Sequence, residues 1–119
     1  MEQGAHIVCR RRVTIGRQVT FAPRCVIVDA DHPYQDVDTE MSIGARLQDG
    51  PSFVEIGDRA FLGAGVVVLP NVRIGKHCVV GANSVVTRSL PDYTVCAGSP
   101  AKVLRRYDPE TKAWVVEKS

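Results

Sequence analysis

Apolar residues in the middle of this chain recur every six positions. Starting at Ile56, the segments IGDRAF, LGAGVV, VLPNVR, IGKHCV, VGANSV and VTRSLP open on Ile56, Leu62, Val68, Ile74, Val80 and Val86, all branched aliphatics. Their fifth positions, Ala60, Val66, Val72, Cys78, Ser84 and Leu90, are small or apolar, and glycine fills the second position at Gly57, Gly63, Gly75 and Gly81. A helix needs apolar residues three and four apart, and each interior glycine costs it about 1 kcal/mol. A strand period of two divides six, so each segment reads as a short strand with its first and fifth residues inward and glycine where the backbone turns tightly. Three segments close one triangular coil. Stacked coils form a parallel β-helix around one continuous apolar column, and no coil is stable alone. The register predicts Ile56 on Ile74, Leu62 on Val80 and Val68 on Val86.

The phase extends upstream through CRRRVT, IGRQVT, FAPRCV and IVDADH, with Cys9, Ile15, Phe21 and Ile27 at the first position and Val13, Val19 and Cys25 at the fifth. Asp31 breaks it at the next inward slot. Residues 33–49 keep no period and carry Tyr34, Asp36, Asp38 and Glu40, before Val54 and Ile56 resume the register. The expected organisation is one all-β domain with coils over about 7–32 and 50–91, an excursion loop over 33–49 and a C-terminal tail over 101–119. Long loops in compact repeats are functional or disordered, and this one leaves directly after a histidine. From Ala101 the period is lost; Lys102 to Arg106 is expected to begin a short helix, Pro109 to punctuate it and Trp114 to pack on the coils.

Composition narrows the function classes. A domain of 119 residues leaves much apolar surface uncovered unless it associates. The formal charge of +2 and the single basic run Arg10-Arg11-Arg12, read as a solvated face, do not suggest nucleic acid. Cys9, Cys25, Cys78 and Cys96 form no CxxC pair and follow no secretory leader, which argues against a disulfide framework or zinc site and favours a reduced cytoplasmic interior. The longest apolar stretch, Val66 to Leu69, is far short of a membrane span.

The hexads IGDRAFLGAGVVVLPNVRIGKHCVVGANSVVTRSLPDYTVCAGSPAKVLR, preceded by VTIGRQVTFAPRCVIVDADHP, resemble the hexapeptide-repeat acyltransferases. The likeness is greatest to the maltose, galactoside and nodulation-factor acetyltransferase branch and to its relatives acting on bacterial polysaccharides. The hexads mark the fold; the loop-opening HP, SVVT and the terminal GSPAKVLR are more specific. The resemblance implies a left-handed parallel β-helix and a homotrimer, with the acetyl-CoA groove between neighbouring β-helices. General rules of connection favour the opposite hand, so the handedness rests on the resemblance.

The same resemblance implies that His32, in DADHPY, is the catalytic base. Moving an acetyl group from a thioester to a hydroxyl needs a base near neutral pH, and histidine suits that role. Asp29 and Asp31 are candidates to orient its ring, or simply to shape the turn. After the family's aromatic-aliphatic-glycine step, here Phe61-Leu62-Gly63, the backbone of Ala64 meets the thioester and helps to hold the oxyanion. Phe61 stands where the family often has tryptophan. Ala82 falls one coil on, along the pantetheine arm, and Thr87 and Arg88 match a Thr-Lys step of the relatives. Lys102 and Arg105 fall on the basic positions that face the nucleotide phosphates. Acetyl-CoA is thus the expected acyl donor, with no metal, and a sugar or polysaccharide precursor the acceptor. Relatives carry more N-terminal sequence that helps to bind the acceptor, whereas these hexads begin within about ten residues of Met1.

Two other classes are open. A non-catalytic β-helix scaffold would be expected to lose the base or the cofactor cations, yet His32, Thr87, Arg88, Lys102 and Arg105 are all present. The gamma-type carbonic anhydrases share the β-helix and hold zinc with three histidines, the number found here. His6, His32 and His77, however, are separated by 26 and 45 residues, a poor match to a site with two ligands close in sequence.

Overall fold

A computed structural model describes residues 5–46 and 51–117. The segments of six fold as short strands, and three sheets run along the molecule. The first contains β1 (Ala5–Val8), β4 (Cys25–Val28), β7 (Val67–Val68) and β10 (Val85–Val86). The second contains β2 (Val13–Ile15), β5 (Val54–Ile56) and β8 (Val72–Ile74). In the third, β3 (Thr20–Phe21), β6 (Phe61–Leu62) and β9 (Val79–Val80) are followed by β11 (Thr94–Gly98), β12 (Ala101–Asp108) and β13 (Ala113–Val116). The chain visits the second, third and first sheet in turn, and all coil-to-coil pairings are parallel.

The expected stacking is present residue by residue: Ile56 pairs with Ile74, Leu62 with Val80, and Val68 with Val86. These residues and Val54, Val66, Val72, Cys78 and Cys96 form the core, nearly all of it without solvent exposure. Coils approach so closely at their corners that a Cβ on Gly63 would lie 2.8 Å from the Ala82 nitrogen. Fourth hexad positions turn the corners with left-handed backbone, as at Arg59, Asn71, His77 and Asn83.

Upstream, the phase slips. Ile7 pairs with Ile27 and packs against the core, whereas Cys9 is exposed and does not take the inward place expected of it. Eight residues separate Ile7 from Ile15, and the two extra ones form a bulge at Cys9–Arg12. Asp31 is likewise exposed, and Asp29 points inward, because the strand alternation of Cys25 and Ile27 continues for one more step.

The helix expected over Lys102–Arg106 is strand instead. β12 runs antiparallel to β11, and β13 to β12, so the tail extends the third sheet past its last coil. Ala101 and Val103 alternate inward onto the core, a period of two that covers an otherwise open sheet edge. Trp114 stands against Tyr107 at 5.3 Å and His77 at 6.1 Å between ring centroids. The excursion includes a 3-10 turn, Ile43–Ala45; residues 47–50, and the tail's last two residues, lie outside the described set. Among the described residues no helix is long and apolar enough to cross a membrane.

Leu62 has no exposed surface and is stacked above and below. Leu62→Ala should lower unfolding free energy by about 3 kcal/mol, read as a reduced urea midpoint; a loss below about 1 kcal/mol would show that the coil collapses around the gap.

Candidate functional site

The site is assembled on two margins of the first sheet. Along the margin shared with the third sheet, Ala64 and Ala82 stack in successive coils, with the Asn83 N–H donating to the Ala64 carbonyl at 2.8 Å. Their own amides differ from two at another corner. At the corner between the second and third sheets, the equivalent N–H groups of Arg17 and Lys76 donate to the carboxylates of Asp58 and Asp92, each at 2.8 Å. Ala64 and Ala82 have no such acceptor beside them, and among the described residues neither N–H makes a hydrogen bond. Two backbone donors therefore stand in one column, ready for a ligand oxygen.

Ala97 continues the column, 3.0 Å from where a Cβ on Gly81 would lie, and pairs with Lys102 across the β11–β12 hairpin. Lys102 and Arg105 are exposed and line a cleft of about 480 Å³ together with Val103, Leu104 and Val116. The structure thus brings Ala64, Ala82, Lys102 and Arg105 to one side. Thr87 and Arg88, both exposed, follow β10 and sit at the opposite margin of the first sheet. His32 leaves from that opposite margin too, four residues after β4. From Ala64 to Leu69 across the sheet is five residues, at most about 17 Å. Within one chain the two groups stand at opposite margins of the first sheet.

His32 is exposed, and its Nδ1 lies 2.9 Å from the Arg46 carbonyl oxygen. A carbonyl only accepts, so Nδ1 carries the proton and Nε2 is left as the basic nitrogen. Arg46 folds the loop back to reach this position: its Nε donates to the Met41 carbonyl at 3.2 Å and Nη1 to that of Pro33 at 3.3 Å. Nothing in the hexad pattern points to Arg46; a lone arginine just before the strands resume was the available signal. Asp31 does not orient the ring through the bond seen here; its carboxylate accepts the His32 backbone N–H at 2.8 Å and shapes the turn.

Asp29 serves the bulge instead. Its carboxylate, fully buried, accepts the backbone N–H groups of Arg10, Arg11 and Arg12, each at 2.6 Å. Burial alone would raise this carboxyl's pKa, but the three amides outweigh it and hold the group below its ordinary value.

His6 lies on β1, His32 in the loop and His77 at the corner between the second and third sheets, stacked on Tyr93 at 5.7 Å. Among the described residues no group of three or more histidines, cysteines or acids is placed to hold a metal ion. All four cysteines are free thiols, and only Cys9 is exposed.

Residues 53–88 match the family model described as bacterial transferase hexapeptide (six repeats). Those residues carry the bacterial transferase hexapeptide repeat. The chain's fold is accordingly the left-handed parallel β-helix. It is 42% identical over 113 residues to an Escherichia coli K12 protein named as a lipopolysaccharide biosynthesis O-acetyl transferase, WbbJ, covering 92% of this chain and 58% of that one. It is 39% identical over 94 residues to a galactoside O-acetyltransferase of Lactococcus lactis, covering 79% of this chain and 43% of that one. Among solved structures, a galactoside acetyltransferase in complex with coenzyme A superposes with a TM-score of 0.77 at 31% identity, over 97% of this chain and 57% of that one. A hexapeptide-repeat acetyltransferase from Vibrio cholerae complexed with acetyl coenzyme A gives 0.74 at 28%, over 88% and 55%. The chain spans about half the length of the relatives it matches.

Because the folded Asp29 carboxyl titrates below its ordinary value, its contribution is complete above that value and is lost as pH falls through the folded pKa. Asp29→Asn should cost about 2–3 kcal/mol at neutral pH. The wild-type urea midpoint should drop on acidification below about pH 4, and that of the variant should drop less; parallel curves would show that the carboxylate charge is not what holds the bulge.

Proposed function

We propose that this chain is an acetyl-CoA-dependent O-acetyltransferase acting on a sugar or polysaccharide precursor. The observation that carries this reading is the column of two unpaired amides, Ala64 and Ala82, leading to Lys102. In it the thioester carbonyl lies against the Ala64 N–H, the pantetheine arm passes Ala82, and Lys102 and Arg105 meet the nucleotide phosphates, with Thr87 and Arg88 at the far margin. The relatives' names and the coenzyme A complexes of the neighbours support the donor and the saccharide acceptor.

His32 Nε2 takes the proton from the acceptor hydroxyl as its oxygen attacks the thioester carbon. The Ala64 N–H stabilises the resulting oxyanion, the C–S bond breaks, and the imidazolium returns its proton to the departing thiolate. The Arg46 carbonyl steadies the protonated ring through Nδ1.

His32 and the amide column come together only if two chains meet. The outward residues of the sheets favour this. Val26, Val67 and Val85 stand in register on the first sheet, and Phe61, Val79 and Val95 on the third. The second sheet instead presents Thr14, Glu55 and Arg73, with Glu55 ion-paired to Arg12 at 3.1 Å and to Arg73 at 3.8 Å. Two apolar faces and one charged face fit a closed homotrimer in which the first sheet of one copy packs on the third of the next. The free thiols suit the reducing cytoplasm.

Calorimetric titration of the purified oligomer with acetyl-CoA should give one site per chain, and thiol release should then identify sugar acceptors; no binding at millimolar acetyl-CoA would count against the enzyme reading. His32→Ala should lower turnover by about two to four orders of magnitude with CoA affinity nearly unchanged, and full activity in that variant would exclude the base. Lys102→Ala should weaken CoA more than it weakens CoA lacking the 3′-phosphate; equal losses would place the lysine elsewhere.

A further inference from the structure

The bulge at Cys9–Arg12 is unexplained by the acyl-transfer machinery. It lengthens a segment that would otherwise take six residues, at the cost of burying a charged carboxylate, and its product is a turn from which three consecutive arginines project. Across from them lie Pro51, Ser52 and Phe53, where the excursion rejoins the coil, and the two segments frame a cleft of about 720 Å³. Among the described residues no acidic residue lines it. Arg12 is partly committed, with its guanidinium bonded to Glu55 and 5.8 Å from the centroid of the Phe53 ring. Arg10 and Arg11 are exposed and form no salt bridge among the described residues.

A second observation lies in the same cleft. Ser52 is only 3% exposed, and its hydroxyl has no hydrogen-bond partner among the described residues. A buried hydroxyl left unpaired is costly, and such groups in a cleft wall are suited to a ligand oxygen. The combination of exposed guanidinium groups, an unpaired hydroxyl on the lining residue Ser52 and the Phe53 ring selects an anion borne on a sugar. Arginine forks bind phosphate or carboxylate oxygens in pairs, and an aromatic ring offers an apolar surface to a sugar face. Asp29 clamps the backbone beneath the arginines without entering the cleft, so its charge opposes the ligand less than an exposed carboxylate would.

We propose that the cleft framed by Arg10–Arg12 and Ser52–Phe53 holds an anionic group, phosphate or carboxylate, of the acceptor saccharide. The assignment to an acceptor rests on the acetyltransferase reading. It also follows from position: the clamp residue Asp29 is three residues ahead of His32, and Ser52 and Phe53 close the loop that His32 opens.

The test is calorimetric titration of the intact oligomer with glucose 1-phosphate, glucuronate and glucose, with acetyl-CoA titrated separately. At least one anionic sugar should bind about tenfold or more tightly than glucose, and its affinity should fall as salt is raised. Preference for glucose 1-phosphate identifies a phosphate, and preference for glucuronate a carboxylate. Arg10→Gln/Arg11→Gln should remove the preference while leaving acetyl-CoA affinity unchanged. Ser52→Ala should weaken the preferred anion and raise the urea midpoint of the ligand-free protein. Equal binding of charged and neutral sugars, or an unchanged preference in the double variant, overturns the proposal. A parallel loss of acetyl-CoA in the double variant overturns the acceptor assignment, because the cleft would then be taking the donor's phosphates. A lower urea midpoint with unchanged binding in Ser52→Ala would remove that hydroxyl from the site and overturn the cleft as drawn. If the wild type binds the anionic sugar but not acetyl-CoA, the acetyltransferase reading fails while the anion site stands.

Discussion

Each coil of this protein is held by the coil above and below it, through parallel backbone pairing that aligns like residues at intervals of 18, as Ile56 aligns with Ile74. Inside that pairing the apolar column is filled by neighbours of the same shape, and no strand of two or three residues could survive without it. Everything chemical is a departure tolerated at its surface. Where a corner is closed by a carboxylate, as at Asp58 and Asp92, the backbone is satisfied internally. Where the corner between the third and first sheets carries alanine, as at Ala64 and Ala82, the amide remains for something else. Small side chains thus create polarity here, by declining to cover the backbone.

The residues from Ile56 to Leu90 were legible in the sequence because equal steps admit one arrangement, and a slip by one would turn every aliphatic residue outward. Periodicity failed where the chain stopped counting. Carrying the phase back to Cys9 ignored two inserted residues, since CRRRVT looks like a hexad in composition and only pairing of Ile7 with Ile27 reveals the slip. The tail misled for a different reason: AKVLRR suits a helix locally, but an uncovered sheet edge offers a strand more partners.

The site divides along the same line. Ala64 and Ala82 were legible through the family resemblance, because both lie inside the regular hexads where the motif could be matched. Arg46, whose carbonyl meets His32, lies in the stretch that obeys no repeat, and only a three-dimensional fold of the loop shows the contact. Asp29 was visible as an acidic residue next to the histidine, yet its destination was the bulge 17 to 19 residues upstream.

The excursion separates Ile15 from its stacked partner Ile56 by 41 residues, 23 more than a coil requires, without disturbing the register on either side. Length in this architecture therefore has two currencies. Within the coils it moves in twos, because an odd gain or loss turns the aliphatic residues outward, whereas the two extra residues at Cys9–Arg12 leave Ile7 on Ile27. Between Val28 and Val54 it is continuous. A lineage built on this scaffold can lengthen its stack only by adding coils, while the excursion after Val28 can be redrawn one residue at a time.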